Sequence, residues 1–203
     1  MLDHQEGWGM LNPARQFGVS LIELMIGIAI VSLLLVMGAP SFGLWIQNTQ
    51  VRTAAESIQN GLQIARTEAV RRNANVRFNL TDAGGTVAWS VDCVTVTADC
   101  PAGIQSRSGG EGGANARVGI SVDMAIPVIG TAIAAGTGLL AGVTFDGLGR
   151  IPAANVGTDI ARIDITNAVR ADARRMVILI GTGGQTRMCD PAIALAANPQ
   201  GCL

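Results

Sequence analysis

The chain has 203 residues and is 49% hydrophobic, with a mean hydropathy of +0.39, which suits one domain joined to a membrane segment. Its formal net charge is −1 and all 14 basic residues are arginine, so overall charge does not point to a polyanionic partner. The single histidine is His4, and lysine and tyrosine are missing. Most side chains used for general-base or Schiff-base chemistry are therefore lacking, and the sequence reads as a non-enzyme without a cofactor.

The first 18 residues are polar, carry Arg15 close to the apolar run that follows, and have neither the apolar core nor the A-x-A site of an ordinary secretory signal. They read as a cytoplasmic leader. From Val19 to Ala39, 21 residues contain Glu23 as the only charge. A helix of that length, rising ~1.5 Å per residue, crosses the ~30 Å hydrocarbon core of a bilayer. Arg15 before the span and the bulk of the chain after it predict an N-terminus in the cytoplasm and a domain outside it. A carboxylate such as Glu23 costs roughly 2.5–3.5 kcal/mol near the membrane interior, so it calls for a cationic partner.

The stretch Gly18-Val19-Ser20-Leu21-Ile22-Glu23 resembles the prepilin peptidase site of type IV pilins and type II secretion pseudopilins. With Val19 as the first mature residue, Glu23 is the fifth and Pro40 the twenty-second, where many pilins carry a kinking proline. Val19 stands where that family more often has phenylalanine. The resemblance implies cleavage by prepilin peptidase between Gly18 and Val19 and N-methylation of Val19. It also implies that Glu23 pairs with the new N-terminal amine of a neighbouring subunit and so sets filament registry.

Pro40 lacks an amide donor and predicts a bend rather than a stop, because helical pattern resumes beyond it. Val51, Ala55, Ile58, Leu62, Ala65 and Ala69 recur at three- and four-residue steps, with Arg52, Glu56, Gln59, Gln63 and Arg66 between them. This amphipathic half, residues 40–75, ends near Asn73 to Asn75. After residue 75 the period approaches two. Val76 to Leu80 and Thr86 to Val91 predict a hairpin, with further strands at Ala116 to Val122, Leu140 to Phe145, Ile160 to Thr166 and Met176 to Ile180. Ser106 to Asn115 reads as a flexible surface loop, and Met124 to Gly142 gives no secondary structure. The fold class is α+β: a long N-terminal helix packed on an antiparallel sheet formed within residues 76–203.

Four cysteines pair most simply by proximity, Cys93 with Cys100 and Cys189 with Cys202, although four cysteines allow three connectivities. No spacing suits zinc, and no metal site is expected. Val143 to Arg150 contains Phe145-Asp146-Gly147-Leu148-Gly149-Arg150, which is similar to the F-D-G-x-G-R pattern of the GspH/FimT family of minor pilins and pseudopilins. Asp146-Gly147 also reads as a tight turn between strands.

The resemblance extends to Gly184-Gln185-Thr186-Arg187-Met188-Cys189 and so spans nearly the whole chain. It implies a pilin-like fold and a single-pass inner-membrane subunit whose domain lies in the periplasm. Other pilin subunits would be its partners in initiating or capping a type IV pilus or type II secretion pseudopilus. An alternative implied by FimT-type members is DNA binding for natural transformation. Their G-R-x-R motif here reads Gly184-Gln185-Thr186-Arg187, and Arg170, Arg174, Arg175 and Arg187 are the candidate phosphate contacts. Between Val143 and Asp190, six arginines face five aspartates, which suits a solvated strand edge equally well.

Overall fold

The computed structural model describes residues 18–111, 113–123 and 129–202, with residues 39 and 40 described by their backbone alone. The leader up to residue 17 lies outside the described residues, as does the start of the apolar Met124 to Gly142 stretch. The chain forms two compact units, Met1–Pro40 and Ser41–Leu203. Helix α1, Leu21–Arg72, contributes to both.

Within the first unit, Ser20 caps α1: its hydroxyl accepts the Glu23 N–H at 3.2 Å, and its carbonyl accepts the Leu24 N–H. One otherwise unpaired amide of the first turn is thereby satisfied, and the Glu23 charge sits at the positive end of the helix. None of the window Leu21–Gly38 is buried within the protein.

In the second unit, α1 turns an apolar stripe inward. Val51, Ala54, Ala55, Ile58, Leu62, Ala65 and Ala69 are buried, while Arg52 and Glu56 pair across the outer face at 2.9 Å. Its end is set by Asn73, which takes the left-handed conformation at φ 47°. Asn73 N–H returns to Val70 O and Ala74 N–H to Ala69 O, closing the last turn in a Schellman pattern.

Eight strands follow. They are β1 (Val76–Leu80), β2 (Trp89–Cys93), β3 (Gln105–Arg107), β4 (Ala116–Ser121), β5 (Gly142–Phe145), β6 (Arg162–Asn167), β7 (Met176–Ile180) and β8 (Thr186–Cys189). They form two four-stranded sheets rather than one, in the orders β3-β2-β1-β5 and β4-β6-β7-β8. Every neighbouring pair is antiparallel; Phe78, for example, stands opposite both Val91 and Val143. Alternation explains the first sheet: Val76, Phe78, Leu80, Trp89 and Val91 point to the core, while Arg77, Asn79, Ser90 and Asp92 line the other face.

The inward side chains of both sheets and of α1 form one core. A Cβ on Gly61 would come within 2.7 Å of Phe78, so this glycine lets the helix lie close to the first sheet. Trp89 reaches the helix as well, donating Nε1–H to Ser57 Oγ at 3.0 Å in the buried core.

Two expectations for the loops change. The stretch Ser106 to Asn115 is not a free loop: its first residues belong to β3, paired with β2, and Asn115 N–H donates to Gln50 Oε1 of α1 at 3.2 Å. The second half of the Met124 to Gly142 stretch forms turns that edge the sheets; Ile120 N–H donates to Thr137 O, and Gly136 N–H to Val118 O.

Candidate functional site

Three groups of residues carry the sequence motifs, and the structure gives each a distinct physical role. The first is the N-terminal end of α1. Gly18, Val19 and Ser20 precede the helix, and Glu23 is exposed in its first turn beside Leu21, Ile22 and Leu24. The bond that Ser20 accepts from Glu23 N–H has its signal in Ser20-x-x-Glu23, a helix-start pattern that the reading of the sequence did not use.

The second group is the Phe145–Arg150 turn. Asp146 Oδ1 accepts the Leu148 and Arg150 N–H groups, each at 2.9 Å, and Asp146 O accepts Gly149 N–H at 2.8 Å. Gly149 takes φ 72°, which a side chain would strain. The turn is wedged between the end of α1 and the β7–β8 turn. A Cβ on Gly147 would strike Asn73, one on Gly184 (φ 77°) would strike the Gly149 carbonyl, and Arg66 of α1 donates to Gly149 O at 3.0 Å. The two motifs Phe145–Arg150 and Gly184–Arg187 are thus the two halves of one joint. Thr186 extends it, accepting a bond at 2.8 Å from Gln63 of the helix.

The third group is the arginines. Arg170, in the β6–β7 turn, forms a two-point pair with Asp172 at 2.7 and 2.8 Å. That carboxylate holds the Arg170 guanidinium above its ordinary value and is itself lowered by it. Arg174 pairs with the buried Asp190 at 3.3 Å. Arg175 is largely buried and bonds Asp164, which is fully buried and also takes a fork of bonds from Arg162 at 2.6 and 2.8 Å. Arg187, on β8, donates to the Gly201 and Pro199 carbonyls. All four guanidiniums have partners within the domain, but Arg170 and Arg174 remain exposed, whereas Arg175 is a structural element of the second sheet's outer face. There Arg162 and Arg175 also hold the carbonyls of residues 129–131.

Both disulfides join the cysteines nearest in sequence, Cys93–Cys100 and Cys189–Cys202, with Cα atoms 5.7 and 5.0 Å apart. The second closes the C-terminal segment over Ile129 and Val177. Among the described residues, no group of three or more His, Cys, Asp or Glu is placed to hold a metal ion.

A family model for type II transport protein GspH matches residues 54–184, from the buried half of α1 to the β7–β8 turn. The chain belongs to the GspH family. The prokaryotic N-terminal methylation motif matches residues 13–39, which run through the apolar half of α1. The fold is that of a type IV minor pilin: a crystal structure of FimU from Pseudomonas aeruginosa (strain PAO1) superposes with a TM-score of 0.51 at 19% identity, covering 78% of this chain and 99% of that one. A second crystal form of FimU gives a TM-score of 0.46, also at 19% identity, covering 75% and 99%. No curated protein sequence matches significantly. This GspH-family chain is therefore a pilin-type, non-enzymatic subunit, and its apolar N-terminal helix and methylation motif mark it as membrane-anchored.

Proposed function

We propose that this GspH-family protein is a minor pilin or pseudopilin that initiates or caps a type IV pilus or type II secretion pseudopilus. It is inserted in the inner membrane with its domain in the periplasm. Prepilin peptidase cleaves between Gly18 and Val19, and the new Val19 amine is methylated. Glu23 pairs with the N-terminus of an adjoining pilin subunit and sets its axial register, and Pro40 bends α1 beyond the bilayer core. The observation that carries this reading is the 18-residue apolar window Leu21–Gly38, none of it buried within the protein, with one carboxylate at its start. Apolar surface of that extent needs lipid or neighbouring helices around it.

DNA uptake receives less support. Arg175 is paired with the buried Asp164 and Arg187 is bonded to backbone carbonyls, so a phosphate there would have to displace bonds that hold the domain together, and the exposed Arg170 is already paired with Asp172.

The test is co-assembly. With the other pilin subunits present, Glu23→Ala is expected to abolish cross-linking between this subunit and its neighbours while leaving membrane insertion intact. Unchanged cross-linking would remove the registry role.

A further inference from the structure

We propose that the groove between the early turns of α1 in the second unit and the start of β7 binds the head group of an anionic phospholipid. The proposal rests on reading residues 21–38 as a membrane anchor. The groove is lined by Trp45, Asn48, Thr49, Arg52, Arg174 and Met176. Its two walls are held at a fixed spacing: Arg174 N–H donates to Asn48 Oδ1 at 2.7 Å, and Asn167 Nδ2 donates to Gln47 Oε1 at 2.9 Å.

Trp45 is 61% exposed and stacks on the equally exposed Phe42, with ring centroids 5.7 Å apart. Two adjoining aromatic rings left in water are the kind of side chain that settles at a membrane–water interface. Trp45 follows the last residue of the apolar window by seven positions. Even a fully extended chain keeps it within ~25 Å of that point.

The charges are placed to match. The Arg52 and Arg174 side chains, 64% and 62% exposed, line the same groove as the indole. The Asp190 carboxylate paired with Arg174 is buried and also accepts Ala192 N–H at 2.8 Å, so the acid faces inward and the guanidinium outward. Arg52 is paired with Glu56 in an exposed contact of the weak i,i+4 class, which a phosphate can replace. An exposed ring and two forks of donors lining the same groove suit a phosphodiester. A zwitterionic lipid brings its own cation to that site, so the preference is for a head group with net negative charge.

The full chain is reconstituted in phosphatidylcholine vesicles and in vesicles that also contain phosphatidylglycerol. Flotation with pure phosphatidylcholine vesicles tests the anchor by itself; a chain that does not float removes the anchor and this proposal with it. Native mass spectrometry of chain released from the mixed vesicles then reads the lipid retained. Phosphatidylglycerol is expected to be retained over phosphatidylcholine and not displaced by free glycerol phosphate. Arg52→Gln and Arg174→Gln are each expected to lower its retention about fivefold, from roughly 1 kcal/mol per arginine at an anionic surface. Arg174 also pairs with the buried Asp190, so the unfolding midpoint of each variant is measured, and Arg52→Gln, whose partner is exposed, carries the test if Arg174→Gln does not keep its fold. Equal retention of the two lipids by the unmodified chain, or undiminished phosphatidylglycerol on the double variant, overturns the proposal. So does a double variant that keeps lipid but loses cross-links to a second subunit, which would assign the groove to subunit packing.

Discussion

The two halves of α1 use similar apolar residues for opposite ends. From Leu21 to Met37 the large apolar side chains are Leu, Ile, Val and Met, and they are exposed throughout. From Val51 to Ala69 the inward stripe contains four alanines among seven residues, and all seven are buried, with Gly61 beside them. The contrast follows from what each half must touch. A helix against lipid gains by presenting bulk all round, whereas one against two sheets must let their side chains approach its backbone. An apolar helix is thus not one kind of object: residue size and the presence of a polar face decide whether protein or lipid covers it.

The comparison breaks most visibly under truncation. Leu62→Ala should cost the domain about 2–5 kcal/mol, as core leucine truncations do. Leu34→Ala, a change in the exposed half, should leave the domain's unfolding curve unchanged when both are followed by tryptophan fluorescence in detergent. A comparable loss from Leu34→Ala would mean that the exposed half is packed on the domain.

Next in size is the C-terminal tether. Replacing Cys189 and Cys202 by serine reopens a loop whose closure is worth roughly 3 kcal/mol by chain entropy, and should lower the unfolding midpoint correspondingly. It should do so without disturbing α1, since that bridge covers the second sheet's outer cluster. Ser57→Ala tests the helix–sheet contact more finely. It leaves the buried Trp89 Nε1–H without its acceptor and should cost about 1–3 kcal/mol, visible as a lower denaturant midpoint.

The smallest effect is a response to acid. The Thr86 hydroxyl, then the Gly84 and Thr86 amides, hold the Asp82 carboxyl below the ordinary 3.8. Bonding from Arg71 similarly holds Glu68, in the last turns of α1, below 4.5, against an opposing effect of burial. Both folded-state values are depressed, so their contribution is complete above the ordinary values and is lost as pH falls through the folded ones. The melting temperature should therefore decline as pH drops below about 4.5, and the decline should shrink in Asp82→Asn.

Much of this was legible in the sequence, for reasons that differ by element. Helix α1 could be read because its two periodicities are long: an all-round apolar run, then a stripe at three- and four-residue steps. The β1 strand could be read from clean alternation, and β7 from an unbroken apolar run. Strand limits moved where pairing, not pattern, decides them. β2 starts at Trp89 rather than Thr86, because Asp82 binds Thr86 into the preceding turn. β3 is three residues long and exists only because β2 offers it an edge, so no local signal marks it.

The division into two sheets was also hidden, since alternation tells which residues face inward but not which strands are neighbours. The arginines were misleading for a related reason. Arg170, Arg174, Arg175 and Arg187 are close in sequence, but their partners include Asp164 on β6, Asp190 beyond β8 and carbonyls near the C-terminus, which only the fold brings to them.

Under the proposed function, residues 19 onward form a processed pilin subunit. This is tested most directly by the N-terminus of the chain recovered from membranes that contain prepilin peptidase. Intact-mass and peptide measurements should find the first 18 residues removed and Val19 carrying one methyl group on its amine, with Gly18→Ala leaving the leader in place. A chain recovered with its leader intact, or cut at another bond, would contradict the account.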